Sequence, residues 1–231
     1  DEASVTSTIN SVAANEAPTD IDLSTSTLAE NSSSLTFTAT STDDNSTAFT
    51  YALSGTDASY FTLNSTTGIL TLKASPDYET KNSYSITMKS SDDAIVPESY
   101  FEDFIITVTD TNDAPTLANA ISDQTVAEDS ALSFQFASDV FADVDAGDSF
   151  TYTATLSDDS ALPSWLSFDA GTRTFSGTPL NEDVGTIALK VTATDSGSAS
   201  FADTFNLTVT NTNDAPTLAN AISDQTVAED S

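Results

Sequence analysis

The sequence contains neither cysteine nor histidine, and only 5 of its 231 residues are lysine or arginine. Without cysteine and histidine there is no Ser-His-Asp triad, no cysteine nucleophile, no haem or iron–sulfur ligation and no ordinary zinc site. So few cations cannot neutralise a run of phosphates, which makes nucleic acid and anionic lipid poor partners. The composition therefore excludes these catalytic and metal sites and disfavours a nucleic-acid-binding protein.

Long apolar runs are also missing. No stretch approaches the roughly 20 residues of a membrane span, so no direct membrane insertion is expected. The opening residues, Asp1 to Ser4, are expected to begin a fragment and not a signal peptide. The lack of cysteine excludes a disulfide framework, but it fits a secreted bacterial protein as well as a cytosolic one.

Acidic residues dominate what is present: 36 aspartate and glutamate side chains give a formal net charge of -31. Such an excess is typical of a disordered tail, a halophilic surface or a protein that binds hard cations. Because 38% of the residues are hydrophobic and 13 are phenylalanine, the chain has the material for a core. Disorder is therefore disfavoured.

The strongest internal signal is a repeat. Residues 111–130 read TNDAPTLANAISDQTVAEDS, and residues 212–231 are identical to them. A related junction, NEAPT, begins at Asn15. These junctions bracket two modules of about 100 residues, the usual size of a β-sandwich domain. The predicted organisation is a residual segment at 1–14, domains at 15–113 and 114–214, and the start of a further identical repeat at 215–231.

Within each module the apolar residues alternate with polar ones over short segments, which is typical of half-buried strands. The segments between them are rich in Ser, Thr, Asn, Asp and Gly, which favour turns. The predicted fold class is all-β, with two tandem Greek-key antiparallel β-sandwiches joined end to end. The clearest predicted strands are 35–39, 49–53, 69–72, 84–88, 104–108, 132–136, 150–154, 187–191 and 205–209. Trp165 is interpreted as a core aromatic on a middle strand, the alternative being a platform for stacking sugars.

Acidic side chains cluster at strand ends and around the junction between the modules. A D-x-D or D-x-E spacing in an extended chain places both carboxylates on one side. Two carboxylates about 4 Å apart repel by ~4 kcal/mol at an effective dielectric constant near 20, so such a cluster is costly without a cation. Calcium, which takes oxygen ligands in irregular geometry, is favoured over magnesium. An EF-hand that starts at Asp143 is excluded. Gly147 falls at position five of the loop, where an EF-hand needs its glycine at position six, and position twelve is Ala154 and not the bidentate glutamate.

These motifs resemble the calcium junction of cadherins. The linker DTNDA at 110–114 is followed by Pro115, and the other motifs occur in cadherin order: an upstream Glu30, DYE at 77–79, DVD at 143–145 and ATD at 193–195. Residues 15–113 resemble a bacterial cadherin repeat. Residues 114–214, which contain LPSWLSF at 162–168 and FSGTP at 175–179, are similar to the dystroglycan-type cadherin-like repeats of giant bacterial adhesins of the RTX type.

The resemblance implies up to about three Ca²⁺ ions at this one junction. Asp113 would bridge ions, Thr111 and Ala114 would offer backbone oxygens, and Asn112 would offer its side chain. The remaining ligands would come from both modules, and the full implied set is Glu30, Asp77, Glu79, Asp110, Thr111, Asn112, Asp113, Ala114, Asp143, Asp145 and Asp195.

The outer ends of the modules carry incomplete versions of the same pattern. At the N-terminal end Asp43 and Asp92 match, but Ser41 replaces the first aspartate of D-x-D. At the C-terminal end Glu128, Asp183 and Asp214 could serve, but DYE is replaced by Asn-Glu-Asp at 181–183. Weak or empty sites are expected at both ends.

The resemblance implies a calcium-dependent rigid extender in a long bacterial cell-surface or biofilm adhesin. The parent is expected to be extracellular, secreted by a type I system and anchored in the outer membrane. The partners would be neighbouring repeats of the same polypeptide, and the chain is expected to be monomeric. The alternative is a module that binds polysaccharide or like repeats in homophilic adhesion. An enzyme such as a two-carboxylate glycosidase is not expected, because the acids surround a linker and not a cleft.

Overall fold

The computed structural model describes residues 14–229 and divides the chain into two compact units between Thr111 and Asn112. The predicted segment 1–14 falls outside the described residues apart from Ala14, and so do the last two residues of the predicted repeat start at 215–231. The predicted domain boundary lies between Asp113 and Ala114. The four predicted ranges stay predictions.

Unit 1 is built from eight strands that form two four-stranded sheets, in the orders β1-β3-β6-β5 and β2-β8-β7-β4. Its strands are β1 (Asp20–Leu23), β2 (Thr27–Ala29), β3 (Thr36–Thr42), β4 (Phe49–Ser54), β5 (Phe61–Leu63), β6 (Ile69–Leu72), β7 (Ser83–Asp92) and β8 (Ser99–Thr109).

Unit 2 has a four-stranded sheet of order β10-β17-β16-β13, opposite a three-stranded sheet β11-β15-β14 and a two-stranded pair β12-β9. Its strands are β9 (Thr116–Leu117), β10 (Gln124–Ala127), β11 (Leu132–Gln135), β12 (Phe141–Ala142), β13 (Thr151–Leu156), β14 (Leu166–Asp169), β15 (Thr174–Gly177), β16 (Gly185–Thr194) and β17 (Ser200–Thr210). The all-β sandwich prediction is confirmed.

The alternating sequence pattern decides which side chains enter each core. Along β7, Tyr84, Ile86 and Met88 are buried, while Ser85 between them faces outward. Each unit has its own cluster of buried apolar side chains, centred on Phe37 and Leu70 in unit 1 and on Phe175 and Leu189 in unit 2. Burying each large apolar side chain contributes roughly 1.5–3 kcal/mol, so each unit has an independent source of stability.

One edge of each unit departs from the antiparallel prediction. β2 pairs in parallel with β8, and β10 pairs in parallel with β17. In unit 1 the chain leaves β1, which pairs antiparallel with β3, and continues in the same direction into the other sheet. In that sheet the chain forms β2 beside β8, the last strand of the unit. The two strands run in the same direction, so their pairing is parallel.

A carboxylate on the last long strand accepts a main-chain N–H near the start of each unit, from half-buried Glu102 in unit 1 and from buried Asp203 in unit 2. The Ile21 N–H donates to Glu102 Oε2 at 3.0 Å, and the Ile121 N–H donates to Asp203 Oδ2 at 2.7 Å. Both isoleucines are buried, and a main-chain N–H that no neighbouring strand accepts would otherwise be unpaired there, which is costly. This carboxylate therefore stabilises the switch that brings β2 and β10 beside the last strands.

Trp165 lies in the turn before β14, which is an edge strand, and not on a middle strand as the sequence suggested. It is half-buried and packs against the core of unit 2. Gly177 makes room for it, because a Cβ there would overlap the Trp165 main chain and lie 3.1 Å from Cε3 of the indole.

The only helical elements among residues 14–229 are the 3₁₀ turns Ala58–Tyr60 and Asn181–Asp183. No helix in this described part of the chain is long and apolar enough to cross a membrane.

Candidate metal centre

Glu30 is the buried centre of an acidic group at one end of unit 1. It follows β2, and only 3% of its surface is exposed. Its Oε1 accepts the Thr111 N–H at 2.7 Å, and its Oε2 accepts the Tyr78 N–H at 2.8 Å. Burial raises the pKa of Glu30, but the hydrogen bonds from the Thr111 and Tyr78 backbones outweigh it, and the pKa falls below its usual value. Glu30 therefore stays ionised in spite of its burial.

The DYE segment places two further carboxylates beside Glu30. Carboxylate oxygens of Glu30, Asp77 and Glu79 all lie within 4.8 Å of one another. The segment is shaped by Asp77, whose Oδ1 accepts the Thr80 N–H at 2.8 Å and whose Oδ2 accepts the Thr80 hydroxyl at 2.9 Å. Residues from three separate parts of unit 1, Glu30, the DYE segment and the end of β8, thus meet at one place.

Unit 2 carries a second acidic group, in the turn that follows β12. Asp143 Oδ1 accepts the Asp145 N–H at 3.0 Å, and Asp145 Oδ2 accepts the Asp113 N–H at 2.9 Å. The two remaining oxygens, Asp143 Oδ2 and Asp145 Oδ1, are buried and have no hydrogen-bond partner. Burying a carboxylate oxygen without a partner is expensive, so these two atoms fit a site that would bind a cation.

Asp195, which follows β16, is not in this cluster of carboxylates and is connected to the linker through Asn112. It is 6% exposed, its Oδ2 accepts the Asn112 side-chain amide at 3.0 Å, and its Oδ1 accepts the Ala199 N–H at 2.8 Å. Gly197 lies against the Asn112 side chain so closely that a Cβ at this position would overlap it. The loop after Asp195 is therefore shaped to receive Asn112.

Asp148 belongs to the same group and was missed from the sequence. Oxygens of Asp143, Asp145 and Asp148 lie within 4.8 Å of one another. Asp148 Oδ1 accepts the Ser149 N–H at 2.7 Å and the Ser196 N–H at 3.1 Å. Hydrogen bonds from the Ser196 side chain and the Ser149 backbone lower the pKa of Asp148. The D-x-D-x-x-D spacing of 143–148 was the signal that could have revealed it.

The structure brings most of the implied ligands into these two groups. Unit 1 gathers Glu30, Asp77 and Glu79 around the Thr111 backbone, and unit 2 gathers Asn112, Asp113, Asp143, Asp145 and Asp195. Asp110 and Ala114 lie outside both clusters of carboxylates, and the role of every implied residue as a calcium ligand stays a prediction.

The donor set fits a hard cation. Every side chain in the two groups offers oxygen from a carboxylate or an amide, and the sequence has no histidine or cysteine to offer nitrogen or sulfur. Calcium takes 6–8 such oxygens at 2.3–2.6 Å and accepts irregular arrangements. The buried, unpartnered oxygens of Asp143 and Asp145 are the positions that a calcium ion would complete.

The outer end of unit 1 repeats part of this arrangement. The Asn15 side-chain amide donates to Asp92 Oδ2 at 2.8 Å, just as Asn112 donates to Asp195. Ser41 Oγ and Asp43 Oδ2 are buried without a partner. Because Ser41 takes the place that Asp143 has in unit 2, this end of unit 1 has one carboxylate fewer. A weaker metal site is therefore expected here, and it stays a prediction.

The C-terminal end of unit 2 keeps the glutamate of unit 1 but not its DYE segment. Glu128 is 1% exposed, its Oε1 accepts the Thr212 N–H at 2.6 Å, and its Oε2 is buried without a partner. In unit 1 the corresponding oxygen accepts the Tyr78 N–H, whereas here the 3₁₀ turn Asn181–Asp183 takes the place of that segment. The side-chain amide of Asn181, in this 3₁₀ turn, donates to Asp214 Oδ2 at 2.8 Å.

Comparisons with known families agree with this architecture. Residues 24–109 match the family model of the cadherin domain, and residues 114–210 match the model described as "Putative Ig domain" (He_PIG). Residues 24–109 are therefore similar to a cadherin domain, and residues 114–210 are similar to an Ig-like domain. The matches support tandem cadherin-like repeats. The dystroglycan-type assignment of residues 114–214 stays a prediction.

Solved cadherin structures share the fold at low sequence identity. Human protocadherin-24 EC1-2 form II is 21% identical, covers 87% of this chain and 100% of its own, and has a TM-score of 0.58. Mouse clustered PcdhgC3 EC1-3 is 22% identical over 85% of this chain and 68% of its own, with a TM-score of 0.54. Mouse cadherin-23 EC22-24 is 21% identical over 85% of this chain, with a TM-score of 0.52, and the match spans 65% of that fragment. No curated protein matches the chain.

Proposed function

We propose that the chain is a calcium-dependent extender module, in which calcium at the junction fixes two cadherin-like repeats to each other. The observation that carries this proposal concerns two neighbouring residues of the chain. The Thr111 N–H is bound by buried Glu30 of unit 1, and the next residue, Asn112, is bound by buried Asp195 of unit 2. The linker thus passes directly from the acidic group of one unit to that of the other.

The charge of the two acidic groups explains why the extender would depend on an ion. Calcium, when bound, supplies the positive charge that offsets the repulsion among the carboxylates. Without it, Asp143 Oδ2 and Asp145 Oδ1 keep the cost of burial without a partner. Ligands from both units and the linker would then share one ion, and the linker would lose its freedom to pivot.

In the parent protein, a series of such junctions would make a stiff rod that projects a distal binding domain. The identical segments at 111–130 and 212–231 suit a spacer, in which each copy performs the same mechanical task. The net charge of -31 would discourage lateral association. Cadherin-like domains are typically extracellular and non-enzymatic, and the bacterial adhesin of RTX type is the parent that the sequence resemblance favours.

A calorimetric calcium titration of the chelator-treated chain tests the proposal. We expect saturable binding that magnesium at the same concentration reproduces only weakly, because magnesium keeps its waters and demands octahedral geometry. Asp143→Asn should weaken binding, since it retains the acceptor for the Asp145 N–H and removes one ligand charge.

Asp123→Asn is the matched control for that titration. Asp123 is an exposed residue of unit 2 whose Oδ1 accepts the Asn206 N–H at 2.7 Å, outside the acidic groups. It removes the same charge and should leave calcium binding unchanged. A parent chain that shows no saturable calcium binding would contradict the proposed function.

A second candidate function, recognition of polysaccharide, rests on Trp165. Its indole is half-buried against the core and fits over Gly177, which favours a packing role. We therefore expect a panel of polysaccharides to show no saturable binding at millimolar sugar, with or without calcium. Glycan binding that is lost on Trp165→Ala, while Trp165→Phe retains the fold, would support the alternative. Cadherin-like repeats also permit association between like repeats, which sedimentation of the same samples would detect.

A further inference from the structure

A single lysine lies at the end of the DYE segment in an otherwise acidic neighbourhood. The Lys81 Nζ pairs with Asp57 Oδ1 at 3.0 Å. It also lies 5.2 Å from the ring centre of Tyr84 and 5.6 Å from that of Tyr60. Lys81 is therefore held by three partners at once, which is unusual for a lysine near a surface, where the side chain normally keeps its rotamer freedom.

Asp57 is itself fixed on two sides. Its N–H donates to the Ser85 carbonyl at 3.0 Å, and its Oδ2 accepts the Ser85 N–H at 2.7 Å. It is 8% exposed, and its pKa is lowered by the Ser85 hydrogen bond, against the effect of burial, and further by Lys81. Asp57 is thus an ionised anchor attached to β7, which is a strand of the rigid sandwich.

The backbone of Lys81 connects this anchor to the metal-binding carboxylates. The Lys81 N–H donates to the Asp77 carbonyl at 2.8 Å. At the other end of the segment, the Tyr78 N–H donates to Glu30. The short loop that carries Asp77 and Glu79 is consequently tied down at both ends, by Glu30 on one side and by the Lys81–Asp57 pair on the other.

The positive charge of Lys81 lies near Asp77 and Glu79 in the sequence, so its effect on calcium binding can have either sign. A cation four residues from Asp77 repels an incoming calcium ion, so Coulomb interaction alone would make Lys81 unfavourable for binding. Its attachment to Asp57, Tyr60 and Tyr84 has the opposite effect if it holds the loop in the conformation that presents Asp77 and Glu79. Pre-ordering a loop removes an entropic cost that binding would otherwise carry.

We propose that Lys81 and Asp57 are positioning residues for the calcium site, which hold the DYE loop so that the Asp77 and Glu79 carboxylates are pre-ordered beside Glu30. This inference rests on the proposed function, because it needs calcium to bind at this junction. It adds a residue pair that touches no ion and acts only through the loop.

The test is the sign of the change in calcium affinity when Lys81 is replaced. Lys81→Met keeps an unbranched side chain over the two rings and removes the charge. Loss of the positioning pair should weaken calcium binding about fivefold to tenfold, the size expected from one partly exposed ion pair and its cation–π contacts. Loss of repulsion alone would instead make binding tighter. The titration is made on the whole chain at a temperature at which circular dichroism shows every variant folded.

Two further variants separate positioning from charge. Lys81→Arg, which keeps the charge, the ion pair and the stacking, should restore parental affinity. Lys89→Met removes the same charge from β7 of unit 1, outside the DYE loop, where Lys89 lies 5.7 Å from the ring centre of Phe101. That control should not weaken calcium binding. Asp57→Asn combined with Lys81→Met should cost little more than either change alone, because both break one contact.

The outcomes are distinct for the inference and for the proposed function. If the parent chain binds no calcium, the proposed function fails, and with it the basis of the inference. If the parent binds calcium and Lys81→Met binds it as tightly or more tightly, the positioning role is wrong and the proposed function stands. If Lys89→Met weakens binding as much as Lys81→Met, the loss is not specific to the lysine that holds the DYE loop, which also overturns the inference.

Discussion

Millimolar calcium should raise the melting temperature of the chelator-treated chain by on the order of 10 °C. An ion that binds only the folded state stabilises it by RT ln(1 + [L]/Kd), about 2.7 kcal/mol at a hundredfold excess over Kd. For a domain of about 100 residues, each kcal/mol shifts the melting temperature by roughly 4–8 °C. Differential scanning calorimetry in calcium, in magnesium and in EDTA measures this effect, and magnesium should produce much less of it.

Asp143→Asn should reverse its effect on stability between the two conditions. In EDTA the variant should melt at or above the temperature of the parent, because Asp143 Oδ2 is a buried carboxylate oxygen without a partner. In calcium it should melt below the parent, because a charged ligand is lost. A parent chain with the same melting temperature in calcium and in EDTA would contradict calcium-linked stability. A variant whose melting temperature is lower than that of the parent by the same amount in both conditions would contradict it as well.

Calcium should also narrow the range of shapes that the chain adopts in solution, and Asp113→Ala should abolish this effect. Asp113 is the residue that the cadherin resemblance assigns to bridge ions, and its N–H is bound by Asp145 in unit 2. Small-angle scattering in calcium should give a narrow distribution of maximum dimension. EDTA should broaden that distribution while both units stay folded, because each has its own core.

Asp43→Ala is the matched control for this experiment. Asp43 follows β3 at the outer end of unit 1, and it accepts the Asn45 and Ser46 N–H groups. The acidic group around Glu30 lies at the other end of that unit. The 11-residue strand β8 runs between the two ends and spans about 35 Å at roughly 3.3 Å per residue. The assignment of the junction is wrong if Asp113→Ala keeps the narrow distribution of maximum dimension in calcium. It is also wrong if Asp43→Ala broadens that distribution as much as Asp113→Ala does.

The strands were the part of the fold most accessible from sequence. The alternation around Ile86 and around Leu189 predicted β7 and β16, and both are strands with the expected buried faces. Short strands such as β9 and β12 escaped detection, because two residues cannot display a period of two. The parallel edges were also missed, since strand direction at an edge depends on how the chain crosses between sheets and leaves no local pattern.

The sequence by itself determined that acids collect at a junction, through the repeat at 111–130, the D-x-D and DYE spacings and the lack of histidine and cysteine. These are local features, readable because an extended chain places residues two apart on one side. Only the tertiary structure decided which acids meet, because Glu30 and Thr111, or Asn112 and Asp195, approach through the packing of distant strands. It alone revealed the unpartnered oxygens of Asp143 and Asp145 and the Lys81–Asp57 pair. Such contacts depend on loop conformations and on burial, which act between residues far apart in the chain and are therefore not written in any short motif.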